Sequence, residues 1–122
     1  MNHLKLTDSE WLVLCALWDG HRALGEITAA LRAQTGWSRN TVHTYLTRMA
    51  EKELVAIDRE RTPHQYCAAV TRTECEAAER HSLLDRVYQG SAGRLVAAFV
   101  RDGSLTAKER DELRRLLDEM EV

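Results

Sequence analysis

Apolar side chains recur through residues 8–18 at the spacing of a helix: Trp11, Leu14, Cys15, Leu17 and Trp18. Thr7 followed by Glu10 is a capping-box signature for its start, and Asp19, Gly20 and His21 end it. On this reading Cys15 is a small buried hydrophobe. A second helix over residues 25–34 turns Ile27, Ala30 and Leu31 inward, with Gly36 just past its end. Trp37 then fills the gap before Ser38, a good N-cap. Residues 38–53 follow as a third helix whose buried stripe is Val42, Tyr45, Leu46 and Met49. Beyond Glu53 the period changes. Residues 54–57 and 65–70, the latter anchored by Tyr66, predict two short strands joined by a polar loop over 58–64, a hairpin.

The rest of the chain returns to the helical period. Thr71, Arg72 and Thr73 form a small polar boundary, and Thr73 is placed to cap a helix over 74–89. That helix buries Ala77, Leu83 or Leu84, Val87 and Tyr88. Gly90 stops it, and Ser91 caps a shorter helix carrying Leu95, Val96, Phe99 and Val100. After Gly103, Thr106 and Glu109 repeat the capping-box spacing, and Leu113, Leu116, Leu117 and Met120 share one face. About 50 residues with stripes this large are too few to bury their own apolar faces. A second copy about a twofold axis is the simple remedy. The plainer alternative is that these helices fold back on the N-terminal core of a monomer.

The expected class is therefore mainly α with a small β-hairpin: a winged helix-turn-helix domain over residues 1–71, then a three-helix dimerisation domain over 72–122. Residues 1–5 lead into the fold, with Leu4 and Leu6 tucked against it. In a winged helix the third helix reaches the major groove and the hairpin tip lies along the backbone or minor groove.

Charge narrows what such a domain can do. The 122 residues carry a formal charge of −2, which argues against extensive wrapping by nucleic acid and leaves room for a local footprint. Up to residue 70 there are 8 Lys and Arg against 8 Asp and Glu, and after it 9 against 11. The outward faces of the third helix hold Arg39, Asn40, Thr41, His43, Thr44, Thr47, Arg48 and Lys52, groups that suit base edges and adjacent phosphates. Arg59, Arg61 and His64 add cationic or titratable groups at the hairpin tip, diluted by Asp58 and Glu60. A solvated helix face and an ordinary polar loop are the bland readings of the same residues.

Little else points to chemistry. Cys15, Cys67 and Cys75 form neither a disulfide scaffold nor a CxxC pair, and no apolar run approaches bilayer length. A reducing cytoplasm and no membrane insertion are expected. No catalytic constellation, phosphate loop or cofactor motif is present, so an enzyme is not expected. His64 and Cys67, with Cys75 or His81 nearby, are the only candidates for a metal ion. Wing and core roles fit these residues better, and no metal site is assigned. Cys75 reads as a semi-exposed structural thiol with a redox or metal sensor as the alternative. Trp11, Trp18, Trp37, Tyr45 and Tyr66 read as packing rather than a ligand box.

LTDSEWLVLCALWD, the Gly36-Trp37-Ser38 turn and RNTVHTYLTRMAEKELV resemble the penicillinase repressor family. That family includes regulators of beta-lactamase and methicillin-resistance genes and copper-responsive repressors. The resemblance continues through HSLLDRVYQGS, LVAAFV and LTAKERDELRRLLDE. It implies a homodimer that sits on a palindromic operator in double-stranded DNA and blocks transcription. By resemblance Thr41, Thr44 and Arg48 match operator-reading positions. Where the family commonly has Pro-Lys after the capping serine, this chain has Arg39-Asn40, and His43 stands in place of an arginine. A guanidinium and an imidazole do not read a guanine edge alike.

In the beta-lactam branch a membrane sensor triggers proteolysis inside the dimerisation domain, just before a phenylalanine. The matching bond here is Ala98–Phe99, with alanine where the family usually has asparagine. The copper branch carries a cysteine-rich C-terminal motif, and no cysteine follows Cys75. The implied dimer core comprises Leu84, Val87, Tyr88, Leu95, Val96, Phe99, Leu113, Leu116, Leu117 and Met120. Two further readings stand beside this one: a repressor released directly by a small molecule or metal ion, and a protein-interaction adaptor that does not bind DNA.

Overall fold

The chain's first fixed point is Thr7. In a computed structural model describing residues 4–120, the Thr7 hydroxyl accepts the Glu10 backbone N–H at 3.1 Å, and the Glu10 carboxylate accepts the Thr7 N–H at 2.9 Å. Two donors that a helix start leaves open are thereby satisfied. They begin α1 (Asp8–Leu17), followed by β1 (Arg22–Ala23), α2 (Leu24–Thr35), α3 (Arg39–Glu51), β2 (Val55–Asp58) and β3 (Gln65–Ala68). Three helices then close the chain: α4 (Arg72–Tyr88), α5 (Ala92–Arg101) and α6 (Ala107–Glu119). Of the leading segment, residues 1–3 lie outside the described residues, while Leu4 and Leu6 pack on the core.

That core joins Val13, Leu14 and Leu17 of α1 to Ile27 and Leu31 of α2 and to Val42, Leu46 and Met49 of α3. Full burial of each such side chain contributes ~1.5–3 kcal/mol. Three expectations need correcting. Cys15 is exposed, because burial of positions 13, 14 and 17 turns position 15 outward. Ala30 is exposed while Thr28 is buried, its hydroxyl satisfied by the Leu24 carbonyl at 2.8 Å. Trp11 and Trp18 are half-buried and meet edge to face at 5.5 Å, so they cover the core rather than fill it.

The hairpin forms with Ile57 opposite Tyr66 and Val55 opposite Ala68. Its strands are shifted or shorter than expected, and a third strand joins them. Arg22 and Ala23 pair with Tyr66 and Gln65, giving the order β1-β3-β2. A two-residue strand shows no alternation, so its pairing is visible only in three dimensions.

α3 ends in a Schellman motif. Leu54 N–H donates to Met49 O at 2.9 Å and Glu53 N–H to Ala50 O at 3.0 Å, with Leu54 and Met49 both buried. The motif requires a left-handed residue between them, and here it is Glu53, at φ 64°.

Two compact units divide at Arg80/His81, within α4. Thr71, not Thr73, caps α4: its hydroxyl accepts Glu74 N–H at 3.0 Å and its N–H donates to the Glu74 carboxylate at 2.9 Å. Cys75 is fully buried in the first unit's core rather than semi-exposed. Burial, and then the Glu74 carboxylate, raise its thiol pKa, which suits an inert structural cysteine. In the second unit Ser91 and Thr106 cap α5 and α6 as expected. No residue of either helix is buried there. Val87, Val96, Phe99, Val100, Leu116, Leu117 and Met120 are each 40–62% exposed.

Two outcomes are expected. Glu53→Gly should stabilise the fold by about 0.5–1 kcal/mol in urea unfolding, since glycine takes the left-handed conformation without a Cβ penalty. No gain would reject that account of the α3 terminus. Glu10 supplies the second. Burial alone raises its pKa, but Lys52 and the Thr7 backbone and hydroxyl outweigh it, leaving the carboxyl below its ordinary range. A depressed folded pKa gives stability that is complete above the unfolded value and drains away as pH falls through the folded one. Glu10→Gln should therefore lower stability at pH 7 and flatten the acid limb; an unchanged acid limb rejects it.

Candidate nucleic-acid interface

Ser38 sets the start of α3 by accepting the Thr41 N–H at 3.2 Å, while its own hydroxyl donates to Thr41 Oγ1 at 3.2 Å. Trp37 stacks on Tyr45 with centroids 4.7 Å apart, tying the entry of the helix to its second turn. With Val42, Leu46 and Met49 in the core, Arg39, Asn40, His43, Thr44, Thr47 and Arg48 are left exposed and Thr41 half-buried. The predicted α3 residues thus share the outer surface of one helix. Lys52 is the exception.

Its ammonium lies 2.7 Å from Glu10 Oε2 and belongs to a contact between the end of α3 and the start of α1. The capping box revealed only one of the Glu10 oxygens. Nothing local to either residue announces the other, 42 positions away.

The two outer threonines are more specialised than their names suggest. Thr44 donates its hydroxyl to Asn40 O at 3.0 Å and Thr47 to His43 O at 2.9 Å. Each then presents a methyl group and an acceptor, not a donor. Such a surface fits a thymine methyl or a base amino group. Arg39 reaches the start of α2: its guanidinium Nη1 is 3.4 Å from the point a Cβ on Gly25 would occupy. Among the described residues no ion pair or side-chain hydrogen bond engages Arg48.

At the hairpin tip residues 59–64 are all exposed. Asp58 organises the turn by accepting the Glu60 N–H at 3.1 Å, and its other oxygen lies 4.0 Å from Arg61. An exposed pair of that length contributes little and is readily exchanged for another anion. Arg59 has no such partner among the described residues. Among those residues, too, no three His, Cys, Asp or Glu side chains are grouped to hold a metal ion. Trp18 donates its indole N–H to Val70 O at 2.9 Å and Tyr66 is buried, roles in packing. No helix of the described residues is long and apolar enough to cross a membrane.

In the second unit, Leu83, Leu84, Tyr88, Leu95 and Leu113 are half-buried, and Val87, Val96, Phe99, Val100, Leu116, Leu117 and Met120 are exposed. Ala98–Phe99 lies inside α5, with Ala98 half-buried and Phe99 exposed.

Residues 6–119 match the sequence pattern of the family described as penicillinase repressor. The methicillin resistance regulatory protein MecI of Staphylococcus aureus strain N315 is 25% identical over 115 residues, covering 93% of this chain and 94% of that protein. A penicillinase repressor of Bacillus licheniformis is 26% identical over 117 residues, covering 94% and 91%. A solved structure concerning regulation of DNA binding of Bordetella bronchiseptica BpsR by 6-hydroxynicotinic acid aligns with 96% of this chain and 76% of that one, at 26% identity and a TM-score of 0.45.

Arg48→Ala should leave thermal stability within about 0.5 kcal/mol of wild type, as for other exposed substitutions. If its guanidinium meets a phosphate, affinity should fall alike on all duplexes and the salt slope by about one unit. Wild-type binding by both Arg48→Ala and Thr44→Ala would remove α3 from the interface.

Proposed function

The chain belongs to the penicillinase repressor family, and from that premise we propose that two copies bind a palindromic operator in double-stranded DNA, one α3 in each of two successive major grooves. DNA-binding repression through a winged helix is the family's activity; the dimer, the residues and the release mechanism are the proposal. The observation that carries it is the division of α3. Its apolar stripe is fully occupied by the core, so Arg39, Asn40, Thr41, His43, Thr44, Thr47 and Arg48 remain to meet DNA. Arg59 and Arg61 approach the backbone from the tip. Core contacts to α1 and α2 hold the helix rigid, so little ordering cost falls on binding.

The second unit supplies the other half. Seven large apolar side chains there are 40–62% exposed, and so much exposed apolar surface in one small unit marks an interaction face. A twofold partner covers it, and joining two half-site readers makes the second engagement intramolecular. That multiplies affinity by ~10²–10⁴ without a new base contact. The near-neutral first unit fits this division of labour: each reader binds weakly by itself, and the pair binds tightly.

Repression then ends when the dimer does. Cutting Ala98–Phe99 detaches Phe99 and α6 from the rest of the apolar set, and a membrane-sensor protease system is the proposed agent. The bond is helical, so α5 must unwind before a protease can hold it extended.

Phe99→Glu combined with Leu117→Glu should convert the dimer to a monomer by sedimentation. Operator affinity should fall at least ~100-fold, with the first unit's unfolding transition retained. A wild-type chain that sediments as a monomer while binding the full palindrome tightly would overturn the reading. For the release step, cells exposed to a beta-lactam should yield a fragment ending at Ala98 by mass spectrometry. Derepression with only intact chain recovered would reject proteolysis.

A further inference from the structure

Glu10 is the most buried carboxylate described, 5% exposed, and its two oxygens serve different elements. Oε1 accepts the Thr7 N–H that starts α1, and Oε2 holds Lys52 Nζ at 2.7 Å. Lys52 is the C-cap of α3, at the end of the helix whose outer surface carries Arg48. Its side chain is 58% exposed, so solvent does not confine it; Glu10 does. The carboxylate is anchored by burial and by the capping bond, whereas the lysine stem is flexible. The pair therefore draws the cation toward α1 and the core, away from the outer surface of α3.

Resting on the DNA-binding reading above, we propose that Glu10 sets the strength and salt dependence of DNA binding by subtraction: it withholds the Lys52 charge from DNA phosphates. Affinity for any duplex rises with each phosphate neutralised, regardless of sequence. A free lysine beside the recognition helix would strengthen binding to operator and random DNA alike. With 8 cations against 8 anions up to residue 70, one unmasked charge is a large change in that balance.

The test compares wild type, Glu10→Gln, Lys52→Gln and the double variant as full-length chains, on operator and random duplexes across a salt series. Glutamine at 10 can still accept from Thr7, but its amide nitrogen then faces the Lys52 ammonium and cannot accept from it, so the cation is released; glutamine at 52 can still donate to Glu10. Glu10→Gln should bind random DNA more tightly, with a salt slope steeper by about 0.9. Operator binding should tighten by a similar factor, leaving the operator-to-random ratio near its wild-type value. Lys52→Gln alone should leave the slope at its wild-type value, because the charge it removes was already withheld. In the double variant the steeper slope should disappear.

An unchanged slope in Glu10→Gln, or a shallower one in Lys52→Gln, overturns the masking. So does a steeper slope that persists in the double variant. Wild-type protein with no preference for operator over random DNA would instead sink the underlying DNA-binding reading, a separate outcome of the same titrations.

Discussion

One helix has to satisfy two environments at once, and the rest of the first unit follows from how α3 does so. Val42, Leu46 and Met49 are removed from water by α1, α2 and the hairpin, which leaves no rotational freedom about the helix axis. A turn of the helix by one residue would bury His43 or Thr47 and expose a core side chain, at a cost of several kcal/mol. The Trp37–Tyr45 stack and the Ser38 cap hold one end, and the Schellman turn with the Glu10–Lys52 contact holds the other. The outward surface is fixed because the inward one is.

Features resting on near neighbours in sequence could be read before any coordinates. Thr7 with Glu10, Thr106 with Glu109, Ser38, Ser91 and the Gly36 stop all express interactions within one helical turn. The α3 stripe was equally legible, since polar residues separate its apolar positions and so fix the phase. In α1 the run Trp11 to Trp18 contains no polar residue at all. Periodicity there specifies a helix but not its inward direction, so it cannot tell that Val13 faces the core and Cys15 the solvent. Thr71 and Thr73 lie two positions apart and are chemically equivalent caps, so the sequence alone does not choose between them.

What the sequence could not express were contacts between distant segments. β1 exists only because β3 offers a free edge. Lys52 reads as a surface cation until Glu10, on another helix, is seen beside it. The period of α4 alone predicts a half-exposed Cys75, which the first unit's core seals. The second unit presents the converse: its apolar stripes were legible, and α5 and α6 nevertheless bury no residue in a single chain.

The placement of β3 between two antiparallel neighbours has a mechanical meaning. Its Tyr66 is gripped by Ile57 on one edge and Arg22 on the other, so the tip projects as a short cantilever from a base clamped on both sides. The clamp on the far side is the connector that leads straight into α2. Tip and helical body are therefore coupled through main-chain bonds, and a force applied to the tip would be transmitted to the start of α2 instead of being lost in a loose flap.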